Sequence, residues 1–104
     1  TYDLILLVTK LTQNYSKGYR QGLARDICLG AQRMATQIFR ANCTTDKAPI
    51  IESLREDLAV LRLQLRLSKD LHLISAGQFG ATVELTDAIG KQANGWLKYA
   101  KRSA

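Results

Sequence analysis

The chain has one proline, one histidine, two cysteines and few aromatic residues, 7% of its 104 positions. Each scarcity removes a class of protein. Two cysteines cannot build the disulfide framework of a small secreted domain. Cys28 and Cys43 fall in the middle and at the end of one helical pattern. At ~1.5 Å of rise per residue they stand ~22 Å apart, far beyond the ~7 Å Cα limit for a bridge. One histidine and two such distant thiols cannot complete a zinc site, so neither a metal nor another cofactor is expected. The longest apolar run, Leu4 to Val8, is far short of the ~20 residues that span a bilayer. The pattern of a signal peptide is also missing from the start of the sequence. These features point to a reduced, cytoplasmic protein with no membrane partner.

Catalytic constellations are equally scarce. His72 stands alone at the end of a helical pattern, where the helix dipole favours an imidazole without a catalytic role. No serine or cysteine has the spacing of a nucleophile elbow. Gly90 and Gly95 have the separation of a phosphate loop, but Trp96 and Leu97 occupy the positions that require Lys and Ser or Thr. Gly77 to Gly80 resembles the clamp loop of a KH domain only as a string, without the strands of that domain. Glu84 and Asp87 read as surface carboxylates beside Lys91. The expectation is a protein that is not an enzyme, with no catalytic residues.

What the chain does have is helical periodicity. Hydrophobic residues make up 46% and charged residues 23%, the balance of one globular domain over residues 1–104. Leu4, Leu7, Val8, Leu11 and Tyr15 form the stripe of a first helix over about Tyr2 to Tyr15. A second helix covers about Tyr19 to Ala41, with Leu23, Ile27, Met34, Ile38 and Ala41 on one face. A third runs from about Pro49, which suits a first turn, to Leu71. Ser75 and Gln78 have capping-box spacing, with Ile74 and Phe79 placed as a hydrophobic staple. The fourth helix continues through Val83, Ala88, Ile89 and Ala93 to Trp96 and frays beyond. No segment alternates with period two for long enough to argue a strand. The fold class predicted is all-α, an up-down-up-down antiparallel four-helix bundle.

The third helix carries two apolar rows. Ile51, Leu54, Leu58, Leu61 and Leu65 cluster within about 60° of arc, and Val60, Leu63, Leu67 and Leu71 lie about 145° away. One bundle core needs one stripe. The second row is therefore either further core or an interface with another chain, and a chain this short favours a homo-oligomer interface.

The formal charge of +6 suggests a polyanionic partner. Arg55, Arg62, Arg66 and Lys69 stand within about 60° of one another on the third helix. Lys91, Lys98 and Arg102 share a face of the fourth, with Asp87 placed to pair with Lys91. Arg25, Arg33 and Arg40 lie together on the second. A solvated charged face has the same spacing, but the predominance of arginine suits phosphate or carboxylate recognition.

The order of short motifs resembles a family. Leu61 to Arg66, then Lys69, Asp70 and Leu71, then Leu73, Ile74, Ser75 and Gln78, are similar to the third-to-fourth helix junction of the accessory variability determinant proteins. Ile89, Gly90 and Lys91, with Gly95 to Lys98, match that family's terminal-helix signature, and Tyr2 to Leu4 fit its opening helix. The resemblance implies a four-helix accessory subunit of a diversity-generating retroelement, bacterial or phage-encoded. It further implies a homopentameric ring that binds the reverse transcriptase and template RNA, with cDNA as a further ligand, in mutagenic retrohoming. Arg62 and Arg66 match the family's paired arginines, and Trp96 its packing tryptophan. Asn94 departs from the small residue common before Gly95. Arg55, Lys69, Lys91, Lys98, Arg33 and Arg40 join the binding set from the basic rows alone. Val60, Leu63, Leu67 and Leu71 are the expected oligomer interface. The alternative is an RNA-binding four-helix protein of the ribosomal intervening-sequence type, with no polymerase partner.

Overall fold

A computed structural model of the chain describes the backbone of residues 1–103 and the side chains of residues 1–100. Among them are four main helices and no strand. Helix α1 spans Tyr2–Thr12. Helix α2 spans Arg25–Asn42 and is entered through a helical turn, Lys17–Tyr19, and a π-helical turn, Arg20–Ala24. Helix α3 spans Ala48–Asp70, and α4 spans Ala76–Ser103.

The first helix ends earlier than its periodicity predicts. The backbone N–H groups of Asn14 and Tyr15 turn back to Leu11 O and Thr12 O at 3.2 and 3.1 Å. Tyr15 thus leaves α1 but still enters the core, where it is 1% exposed. Arg20 Nε donates to Tyr15 O at 3.1 Å, tying this turn to the π segment. Inside that segment Ala24 is buried and Leu23 only half-buried, because an i→i+5 turn holds an extra residue and moves the following positions around the axis.

The junction between α3 and α4 is built as the sequence predicts. Ser75 N–H donates to Gln78 Oε1 at 2.8 Å and Gln78 N–H to Ser75 Oγ at 3.1 Å, a reciprocal capping box. Ile74 is buried and Phe79 packs against the same core. Ahead of it, α3 closes with Leu73 N–H on Ser68 O at 2.9 Å and His72 N–H on Lys69 O at 3.0 Å. This is the Schellman pattern, with His72 in the left-handed position at φ 61°. At the other end of α3, Pro49 lies in the first turn, where its missing N–H has no helical partner to lose. Lys47 Nζ donates to Ala41 O at 2.5 Å and Thr44 O at 2.9 Å, closing the end of α2. The same ammonium lies 5.7 Å from the centre of the Trp96 ring, so Trp96 has a packing role at this pole.

Neighbouring helices in sequence pack together, and α1 also meets α4. Contacts step in opposite senses along the α2–α3 and α3–α4 pairs. Gly30 faces Gln64 while Gln37 bonds Asp57, and Arg62 meets Thr86 while Lys69 lies over Phe79. These two pairs are therefore antiparallel, and the contacts of α1 with α2 and α4 close a four-membered bundle. The core is Leu4, Val8 and Leu11 from α1, Ile27, Ala31 and Met34 from α2, Ile51, Leu54, Leu58, Leu61 and Leu65 from α3, and Ile89, Ala93 and Leu97 from α4. Burial of each large aliphatic side chain contributes ~1.5–3 kcal/mol. The buried threonine and serine hydroxyls bond their own helix, as when Thr86 Oγ1 donates to Thr82 O at 2.9 Å and Ser68 Oγ to Gln64 O at 2.9 Å.

Candidate functional site

Helix α3 offers water two different edges. One borders α4 and carries the basic row. The other borders α2 and carries the second apolar row. The core stripe between them sets both, since each edge lies roughly 60–150° from it around the helix.

On the α4 side, Arg55, Arg62, Arg66 and Lys69 are all exposed at their outer ends. Arg62 is also anchored. Its Nη2 donates to Thr86 O at 3.1 Å and to Asp87 Oδ1 at 3.2 Å, both on α4. The side chains of this ion pair remain 46% and 56% exposed. The guanidinium lies over Gly90, where a Cβ would stand 2.9 Å from Nη2. Gly90 thus supplies the clearance by which Arg62 reaches the neighbouring backbone. Arg55, Arg62 and Lys91 share an open groove with Glu52, Glu56, Asp87 and Asn94. Immediately beside it, Arg62 and Arg66 border a depression with Phe79, Val83 and Thr86. Lys69 Nζ lies 5.1 Å from the centre of the Phe79 ring. Five of the expected cations are therefore gathered along one stretch of the α3–α4 edge.

The other three are not. Lys98 is exposed on α4 but lies two turns beyond Lys91. Arg33 stands on the α2 side of the bundle, 3.9 Å from Asp57, whose carboxylate also accepts from Gln37 Nε2. Arg33 lines a separate groove with Asp26, Asp57, Val60 and Gln64. Arg40 is exposed on the same helix, about two turns along from Arg33 and on the same face. The side chain of Arg102 lies outside the described residues. The sequence pairing of Asp87 with Lys91 is also corrected: Asp87 pairs with Arg62, because the antiparallel packing of α3 on α4 brings that guanidinium to it.

The second apolar row resolves as surface of the single chain. Val60, Leu63, Leu67 and Leu71 are 54, 69, 47 and 40% exposed. Leu29 of α2, 42% exposed, extends the row by lining the same groove as Val60. Sequence periodicity misses Leu29 because nothing in one helix's pattern reports which residue of its neighbour lies alongside. Cys28 and Cys43 carry free thiols, with Cys28 Sγ 3.2 Å from Thr12 Oγ1. Among the described residues no cluster of His, Cys, Asp and Glu could hold a metal ion, and no helix is long and apolar enough to cross a membrane.

The model of a family described as bAvd-like matches residues 1–100 of the chain. No curated protein matches it, and no solved structure does.

Proposed function

The chain belongs to the bAvd-like family, in line with its resemblance to the accessory variability determinant proteins, and from that premise we propose a non-catalytic accessory subunit of a diversity-generating retroelement. It is a homopentameric scaffold that binds the reverse transcriptase and the template RNA during mutagenic cDNA synthesis. The polymerase chemistry belongs to the partner. This reading is carried by the division of α3 into two edges. The exposed leucine row gives a reason to assemble, and the basic groove on the opposite edge stays open when the leucines are covered.

A closed ring joins two unlike faces of each subunit. The row of Val60, Leu63, Leu67 and Leu71, extended by Leu29, supplies one. Tyr2 and Phe39, 72 and 68% exposed on α1 and α2, are apolar surface available for the second. Arg55, Arg66 and Lys91 then lie on the free edge, where planar guanidinium groups suit phosphate oxygens.

The test is co-purification with a cognate reverse transcriptase and titration of its template RNA. Arg55→Ala with Arg66→Ala, which leaves the anchored Arg62 in place, should weaken both while the subunit mass is unchanged. RNA affinity should fall with salt on a log-log plot with a slope of ~0.7–0.9 per phosphate neutralised. Undiminished binding by the double variant would remove these arginines from the site. RNA binding with no polymerase association would favour the ribosomal intervening-sequence reading.

A further inference from the structure

Arg62 lies at the centre of the groove between α3 and α4, and its guanidinium is already partnered by a carboxylate. Asp87 Oδ1 sits 3.2 Å from Nη2, the distance at which a phosphate oxygen would accept. We propose that Asp87 is an internal competitor for the phosphodiester backbone of single-stranded RNA, occupying on Arg62 the place a phosphate takes when RNA binds.

Two bonds hold Arg62, and they differ in kind. The bond to Thr86 O at 3.1 Å is to backbone, part-buried, and fixes the guanidinium over Gly90. The bond to Asp87 is exposed, between side chains that each keep about half their surface in water. An ion pair of this type is weak and screened, so it yields to a polyanion whose charges are neutralised by several cations at once. Arg55 and Lys91 line the same groove and Arg66 borders the next. None of these three pairs with a carboxylate within 4.0 Å among the described residues. A phosphate that displaces Asp87 is therefore met by an oriented guanidinium and flanked by cations with no partner to surrender. Asp87 lowers RNA affinity and keeps the unoccupied guanidinium oriented toward the groove.

This inference rests on the nucleic-acid reading above. It is tested with a fluorescein-labelled oligouridylate titrated against the intact chain at low and moderate salt. Asp87→Asn should tighten binding about three- to fivefold, the scale of one exposed ion pair. Asp3→Asn, the same charge change on α1, should move it much less. The gain should vanish when Asp87→Asn is combined with Arg62→Gln, because the effect passes through that one guanidinium. Wild-type binding with no gain from Asp87→Asn, or a gain that persists without Arg62, would overturn the proposal and leave the nucleic-acid reading standing. A wild-type chain that ignores the oligonucleotide at low salt would overturn both. Circular dichroism melting of each variant confirms that a folded bundle is being compared.

Discussion

The guanidinium of Arg62 on α3 donates to the backbone carbonyl of Thr86 on α4 at 3.1 Å. That bond ties an arginine of the basic row into the frame of the bundle. The guanidinium reaches this carbonyl across Gly90, one turn later, which puts no Cβ in its way. A residue that helical spacing places as one of four cations in a row is thus structural as well as exposed.

Gly90→Ala tests this link. The added methyl would meet Nη2 at 2.9 Å, and the flexible arginine would swing away. Alanine gains ~1 kcal/mol of helix propensity, and the lost charge-assisted bond costs about 1.5–3 kcal/mol at most. The expected net change is a loss of about 0–2 kcal/mol by urea unfolding. The sharper readout is coupling: Arg62→Ala should cost clearly less in the Gly90→Ala background than alone. Equal costs in both backgrounds would mean that the bond contributes nothing.

His72 occupies a left-handed backbone position at φ 61°, where a side chain with a Cβ is disfavoured by ~1–2 kcal/mol. His72→Gly relieves that and loses some of the gain to unfolded-state entropy. It should raise stability by about 0.5–1 kcal/mol, and His72→Val should lower it. A destabilised glycine variant would show that the imidazole makes a contact worth more than the backbone strain.

Removing one half of the capping box should be visible in the same assay. Ser75→Ala deprives the Gln78 N–H of its acceptor and should cost about 1 kcal/mol. Ser75→Asp should retain most of the stability, since a carboxylate accepts the same bond and suits the helix N-terminus.

Burial raises the ionisation of the Tyr15 phenol above the ordinary value of 10.0, with the Ser68 hydroxyl nearby opposing this in part. The phenol oxygen has no hydrogen-bond partner of good geometry. The folded state therefore favours the neutral form. Its contribution is intact below the ordinary tyrosine value and is lost as pH rises through the raised folded value. Unfolding free energy should fall above about pH 10, and Tyr15→Phe should blunt that fall while changing stability by less than about 1 kcal/mol at neutral pH. An unaltered alkaline limb in the phenylalanine variant would assign the loss to other groups.

Much of this architecture is legible in the sequence because it is local. The Ser75 and Gln78 spacing writes the start of α4, Pro49 marks the first turn of α3, and the order of motifs from Leu61 to Lys98 points to the family whose model matches residues 1–100. The two rows of α3 are also legible, though periodicity alone leaves the outer one open between core and surface. Non-local geometry is what escapes. Tyr15 continues the Leu11 stripe on paper, yet the chain leaves α1 at Thr12 and returns the ring to the core through a turn. The π turn at Arg20–Ala24 has no periodic signature in five residues. Asp87 sits four residues before Lys91, and only the packing of α3 against α4 assigns it to Arg62. Arg33 and Arg40 share the sign of the basic row but fall on the other side of the bundle, a separation set by which helices are neighbours. The α4 helix runs on to Ser103, through the stretch beyond Trp96 where its apolar pattern predicts fraying.

The most direct test of the assembled scaffold is solution mass by light scattering, at low and high salt, for the wild-type chain and for Leu63→Glu with Leu67→Glu. The wild-type chain should form a salt-resistant species near five times the 11.6 kDa chain mass, and the double variant should collapse to monomer. A wild-type monomer at all concentrations, or an oligomer indifferent to the two glutamates, would contradict it and leave the exposed leucine row without the role assigned to it.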